Sequence, residues 1–228
     1  MTGEATRIVA LVAARDEETT VRDTVEALMQ LPIDDVVVVD DGSSDATTPA
    51  ALAAGATVLR IPGHAGKGGA MEGALLRLPP ADVWLFADAD LGSSAAALDT
   101  LLDVVVSGRA DLAIALFPHQ DGGGLGTVRR SSAGAIRLLS GFRAEEPLSG
   151  QRAITAACLE AVRPLAGGFG VETAMTIDAT RAGFRVVEIP IPGLTHRATG
   201  RSFAGFLHRG RQGVQIARAA AARAVRLR

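Results

Sequence analysis

Two carboxylates stand one residue apart in VWLFADADLGSS, residues 83–94, where an apolar run gives way to a small polar turn. Side chains two apart on a strand share a face, so Asp88 and Asp90 are expected to project together beyond the strand's carboxyl end. Neighbouring carboxylates repel, and a hard divalent cation with oxygen ligands relieves that repulsion. Mg2+ or Mn2+ bound in this way keeps coordination positions for substrate phosphates. Taken alone, the same acids could simply cap the helix that follows.

Three more polar clusters have the same placement. AARDEE puts Arg15, Asp16 and Glu17 after one apolar run, and VVVVDDGSSDAT puts Asp40 and Asp41 after another. GHAGKGGAM holds Lys67, the only lysine among 23 basic residues. In an arginine-rich chain, one lysine inside a glycine loop suggests a place for a compact ammonium. Separately these clusters read as helix caps, a solvated face and a turn. Together they fall at the carboxyl ends of consecutive strands, where open α/β sheets bind ligands.

The elements that must position them follow from periodicity. Residues 8–13, 36–40, 57–61, 83–87 and 111–117 read as strands. Helical patterns over 18–30, 45–54, 67–78 and 95–107 alternate with them. VVVV at 36–39 is apolar on both faces, as in a strand covered on both sides. Such alternation predicts an α/β fold with a mostly parallel sheet flanked by helices. Beyond it, PHQDGGGLGT (118–127) reads as a loop, and 128–140, 151–162 and 171–182 as helices. FRVVEIPI (184–191) reads as a strand pushed to the edge by its prolines, and the chain from 203 as one long helix. No repeat or second domain boundary is evident, so one domain is expected over 1–228.

Composition excludes several classes. With 228 residues, 48% hydrophobic and 21% charged, the chain can bury a full core. A net charge of -2 argues against general nucleic-acid binding. The single cysteine, Cys158, allows no internal disulfide and no cysteine-built zinc site. The opening residues lack a signal-peptide pattern, and no apolar run nears the ~20 residues of a membrane span. A cytoplasmic location is expected, with peripheral contact at the inner membrane face as a further reading.

The combination resembles the family 2 glycosyltransferases of the GT-A fold, which is Rossmann-like. It is similar in particular to glucosyl-3-phosphoglycerate synthases and polyprenyl-phosphate glycosyltransferases. VALVAARDEE stands where these have a Pro-Ala-x-Asn-Glu-Glu-like motif, with Ala-Arg-Asp as a departure. VVVVDDGSSDAT, GKGGAM and FADADL resemble their Asp-Asp-Gly-Ser, Gly-Lys-Gly and Asp-x-Asp motifs. EPLSGQRA resembles a Ser-Gly-x-Arg-Ala segment near the acceptor, and GFGVETAMTIDA the glutamate-bearing helix beyond it. IPGLTHRATGRS resembles a late loop that carries a metal-binding histidine in one of these groups.

The resemblance implies a nucleotide-sugar-binding half over 1–117, an acceptor half over 118–202 and a basic C-terminal helix over 203–228. Ala13, Arg15 and Glu17 would frame the nucleoside, and Asp40 or Asp41 would read the base. Lys67 would face the diphosphate, and Asp88 would hold the ribose or the donor sugar. Asp90 and His196 would bind Mg2+ or Mn2+. Glu172 would orient or deprotonate an acceptor hydroxyl; a phosphate oxygen as acceptor needs no base. Arg129, Arg130, Ser149, Arg152 and Arg197 would form the acceptor side.

The implied reaction moves a sugar from a nucleoside-diphosphate sugar, UDP-sugar favoured, to a phosphate-bearing acceptor. That acceptor is either soluble, like 3-phosphoglycerate, or a polyprenyl phosphate. The C-terminal helix, with no acid after Glu188, would rest on an anionic membrane surface or pack on the body or a second subunit as a homodimer. Two other classes share parts of this pattern. A sugar-phosphate nucleotidyltransferase would carry a glycine-rich basic loop after the first strand, where AARDEE has no glycine. A non-catalytic nucleotide-binding module would lack Asp90, Glu172 and His196.

Overall fold

Valine- and alanine-rich runs that alternate with short amphipathic helices can bury both faces of a sheet only if helices lie on each side. The computed structural model, which describes residues 6–118, 126–195 and 222–223, has this arrangement. Strands β1 (Ile8–Ala14), β2 (Asp35–Asp40), β3 (Thr57–Arg60), β4 (Val83–Asp88), β5 (Leu112–Leu116), β6 (Arg152–Thr155) and β7 (Val186–Pro190) form one sheet. Their order is β3-β2-β1-β4-β6-β5-β7. Only β6 runs against its neighbours. The strand order departs in opposite directions from β1, which creates the crevice where such sheets bind ligands.

Alternate residues of each strand feed two separate cores. Ala10, Val12, Val36 and Val38 pack toward α1 (Val21–Leu28), α2 (Thr47–Ala53) and α4 (Asp99–Val106). Val9, Leu11, Val37 and Val39 pack toward α3 (Gly66–Leu75), α6 (Ala156–Val162) and α7 (Val171–Arg181). Helix α5 (Gly126–Ser140) lies against α7.

The expected strands appear within a residue or two, and β7 is an edge strand as its prolines require. One stretch differs. Residues 151–162 read as a single helix, yet Arg152–Thr155 is a strand and the helix starts at Ala156. The helical signal came from Cys158, Leu159 and Val162, which do face the core from α6. The four residues before them fill the gap between β4 and β5, where pairing on both sides overrides local preference. Thr155 then caps α6, its hydroxyl accepting from the Cys158 N–H at 3.3 Å. The helix expected from 203 falls outside the described residues except for Ala222 and Arg223.

Candidate active site at the carboxyl edge of the sheet

Strand register sets the site. Ala13 pairs with Val39 on one side and Asp88 on the other, and Ala14 pairs with Asp40. The acids that close β2 and β4 therefore flank the end of β1.

The loops after β1 and β2 are laced together. The Asp16 N–H donates to Ser43 Oγ at 3.0 Å, and the Glu17 N–H to Thr47 Oγ1 at 2.7 Å. In return, Asp16 Oδ1 accepts from the Ser44 N–H at 2.8 Å. Asp16 has φ 55, a left-handed conformation that Asp and Asn tolerate better than most residues. Arg15 is exposed beside Asp16, and Glu17 Oε2 accepts from the Thr20 hydroxyl at 2.8 Å.

Asp40 and Asp41 are both committed to this framework. Asp40 is wholly buried; its Oδ1 accepts from the Ser43 N–H at 2.7 Å and its Oδ2 from the Thr48 hydroxyl. Burial opposes its charge, but these donors prevail and hold the carboxyl below the usual carboxylate value. Asp41 accepts from the Ala65 and Gly66 N–H groups at 2.8 and 3.0 Å, and its Oδ2 lies 2.6 Å from His64 Nδ1. It thereby fixes the loop that delivers Lys67. Gly42 makes this approach feasible, because a Cβ there would sit 2.5 Å from the Gly63 carbonyl oxygen.

Lys67 is the centre of the site. Its ammonium lies 2.6 Å from Asp88 Oδ1 and 2.8 Å from Glu172 Oε1, with the side chain only 14% exposed. Burial works against its charge, but Asp88 and then Glu172 more than offset that and push the pKa well above the ordinary lysine value. Helix α3 is bolted to the loop that precedes α7. Glu72 receives Arg163 Nη2 at 2.8 Å and the Leu165 N–H at 3.0 Å. A Cβ at Gly68 would lie 1.8 Å from the Ala166 carbonyl oxygen, so only glycine permits this contact. Glu172 sits in the first turn of α7, where the helix dipole favours a negative charge.

Asp90 occupies the turn beyond β4 rather than the strand, so the period-two rule that paired it with Asp88 does not govern it. Thr24 holds that turn: its hydroxyl donates to the Ala89 carbonyl at 2.9 Å and accepts from the Gly92 N–H at 2.8 Å. Nearby, Ser94 Oγ accepts from the Thr195 N–H at 3.1 Å and donates to the Thr195 carbonyl at 2.9 Å. The chain thus passes beside the Asp90 turn immediately before residue 196. His196 and Arg197 themselves lie outside the described residues. Among the described residues no three His, Cys, Asp or Glu side chains converge as a metal site. Asp90 carries a hard oxygen of the kind that suits Mg2+ or Mn2+, and Asp88 bonds to Lys67 and to Gln151 Nε2 at 2.9 Å.

The residues expected on the acceptor side separate into two groups. Arg129 and Arg130 are exposed on α5; Arg129 pairs with Glu146 at 2.9 Å and donates to the Glu145 carbonyl at 2.8 Å. Ser149 and Arg152 are buried. Arg152, 1% exposed, donates to the Ser149 carbonyl at 2.8 Å and Thr176 Oγ1 at 3.0 Å, and Thr176 donates to the Glu172 carbonyl at 3.0 Å. Burial pushes its pKa down to about 10, against the pull of Glu172 and Glu188. It braces α7 from within rather than presenting a guanidinium to solvent. Gln151, Thr24 and His64 join the site only in the structure; Gln151 stands within SGQRA and His64 within GHAGKGGAM, whereas Thr24 has no signal in the sequence.

Comparisons with known proteins agree with this arrangement. A sequence model described as Glycosyl transferase family 2 matches residues 9–161. The chain is 32% identical over 197 residues to Glycosyltransferase AglD of Haloferax volcanii, covering 78% of this chain and 31% of that protein. It is 30% identical over 196 residues to the glucosyl-3-phosphoglycerate synthase of Mycolicibacterium paratuberculosis, covering 75% of this chain and 59% of that protein. It therefore spans about a third to three-fifths of the length of these relatives. Among solved structures, the glucosyl-3-phosphoglycerate synthase from Mycobacterium tuberculosis with Mg2+ and UDP superposes with TM-score 0.81 at 25% identity, covering 96% of this chain and 79% of that one. The same synthase with Mn2+, UDP and phosphoglyceric acid gives TM-score 0.79 at 25% identity, covering 96% and 78%. The family model spans most of the chain and the sheet superposes on these structures: the chain belongs to glycosyl transferase family 2.

Proposed function

We propose that the protein transfers a sugar from a nucleoside-diphosphate sugar, with UDP-glucose the favoured donor, to a small phosphate-bearing acceptor of the phosphoglycerate class. The observation that carries this reading is the Lys67 ammonium held between Asp88 on β4 and Glu172 on α7. An ammonium has three N–H groups. Two face carboxylates, and the third is left for an oxygen of the donor's diphosphate. Similarity to a synthase found with UDP, a divalent cation and phosphoglyceric acid supports the same ligand classes. Among the described residues no helix is long and apolar enough to cross a membrane.

Asp90 would hold the divalent cation, with His196 as a further ligand. A bound Mg2+ or Mn2+ supplies charge neutralisation at the leaving diphosphate. Lys67 adds a fixed cation beside it. The laced loops at Glu17 and Asp41 would orient the nucleoside, and Asp88 the transferred sugar. On the acceptor side, the exposed Arg130 suits a phosphate. Glu172, paired with Lys67 at 2.8 Å, is better disposed to orient an acceptor than to take its proton. A phosphate-bearing acceptor with a nearby hydroxyl would meet this face.

The test is UDP release with UDP-glucose, Mn2+ and 3-phosphoglycerate. Release that requires all three supports the reading; release indifferent to the acceptor, with no glucosylated product, contradicts it.

A further inference from the structure

Gln151 is 1% exposed, yet it belongs to no cluster that chemistry alone would select. Its Nε2 donates to Asp88 Oδ2 at 2.9 Å, while Asp88 Oδ1 receives Lys67. Its own Oε1 accepts from Ser149 Oγ at 3.4 Å, which turns the amide nitrogen toward Asp88. The Gln151 carbonyl accepts from the Ala115 N–H at 3.0 Å, anchoring the backbone to β5. Between the two polar residues, Gly150 lies so close that a Cβ would be 2.4 Å from Lys67 Nζ and 2.5 Å from Asp88 Oδ2. The segment Ser149-Gly150-Gln151 thus wraps the carboxylate that tethers the lysine. Antiparallel pairing of β6 with β4, Phe86 opposite Arg152, delivers it there.

We propose that Gln151 is a positioning residue for the transfer reaction, acting through Asp88 to fix the Lys67 ammonium. Asp88 and Glu172 already place two negative charges on one lysine, with Asp90 two residues along the chain. A neutral amide supplies a donor to Asp88 without adding a third charge to the cluster. A carboxylate at this position would repel Asp88 when ionised and could replace the amide donor only when protonated. Burial makes the bond obligatory, because an amide removed from water without a partner is costly.

The inference rests on the proposed function only for its kinetic arm. The test compares wild type, Gln151→Met and Gln151→Glu. Methionine keeps the volume and removes the donor; the acid keeps a donor only at low pH. In UDP release from UDP-glucose with Mn2+ and 3-phosphoglycerate, Gln151→Met should lose about tenfold or more in kcat, as expected for a lost bond to a charged group. Gln151→Glu should lose as much at pH 8 and regain activity toward pH 6, giving a profile displaced to acid that a purely structural defect would not produce. The second arm needs no turnover. Lys67 is the only lysine, so protein labelled with 15N-lysine carries a single side-chain ammonium signal. That signal should be observable in wild type and broadened by faster exchange in Gln151→Met. Wild-type pH profiles and an unchanged Lys67 signal in both variants would overturn the inference. If wild type transfers no sugar, the functional reading fails while the ammonium signal still decides the role of Gln151.

Discussion

Lys67 and Glu172 meet at 2.8 Å across the junction of α3 and α7, where a single ammonium joins strand β4 to helix α7. Three sequence choices allow this approach: glycine at 68, glycine at 150 and a Glu72–Arg163 bolt between the same two regions. The contact is the structural expression of one lysine in an otherwise arginine-only chain. A planar guanidinium could not take its place between two carboxylates at this spacing without displacing Gly150.

Replacing the lysine should therefore do more than weaken donor binding. Lys67→Met removes the cation between Asp88 and Glu172 while Asp88 keeps its bond from Gln151, and is expected to cost ~1–3 kcal/mol of stability at pH 7. Urea denaturation measures this. Because the folded-state pKa of Lys67 lies above its ordinary 10.5, its contribution is complete below that value and is lost only as pH rises through the folded-state pKa. An NMR titration should find Lys67 still charged beyond pH 10.5.

Gly150→Ala tests the closeness of the wrapping segment. The added methyl would fall 2.4 Å from Lys67 Nζ and 2.5 Å from Asp88 Oδ2, which are tied to each other and to Gln151. A loss of ~1–3 kcal/mol in stability and weaker UDP binding by calorimetry are expected. Gly134→Ala, where a Cβ meets nothing within 4 Å in helix α5, should be neutral or stabilising.

Thr24→Val keeps the shape of α1 but removes the hydroxyl that ties the Ala89 carbonyl to the Gly92 N–H. Thr24 is wholly buried, so both groups lose a partner without gaining water. The expected cost is ~1–3 kcal/mol in thermal denaturation. Metal-dependent nucleotide binding should fall with it, because the same turn carries Asp90.

Asp40 links stability to pH. Its carboxyl sits below the ordinary 3.8, so its contribution is present above that value and is lost as pH falls through the folded-state pKa. Asp40→Asn should be less stable than wild type at pH 7 by ~1–3 kcal/mol, with the gap closing below pH 3.8. Acid unfolding of the two proteins followed by circular dichroism checks both points.

Much of this arrangement is legible in the chain. The apolar runs at 8–13, 36–40, 57–61 and 83–87 and the polar clusters after them mark four parallel strands and the sheet edge where those clusters gather. What escapes is what depends on pairing. β6 is short, and helix-like residues follow it directly, so its strand character arises only between β4 and β5. Missing it meant missing that Gln151 would lie on Asp88. The contacts of Asp40 and Asp41 were likewise hidden: both carboxylates close turns at this edge, Asp40 on Ser43 and Asp41 on Ala65 and Gly66. Arg152 looks from sequence like a phosphate ligand, yet it is the largest of the fully buried side chains. Motif spacing carries no signal of depth.

Calorimetric titration of UDP, with Mn2+ and with chelator, on wild type and Asp90→Ala tests the central claim most directly. The account predicts tight binding only for wild type with Mn2+, and equally weak binding in the other three conditions. Equal affinity with and without the ion, or a manganese effect that survives in Asp90→Ala, would contradict it.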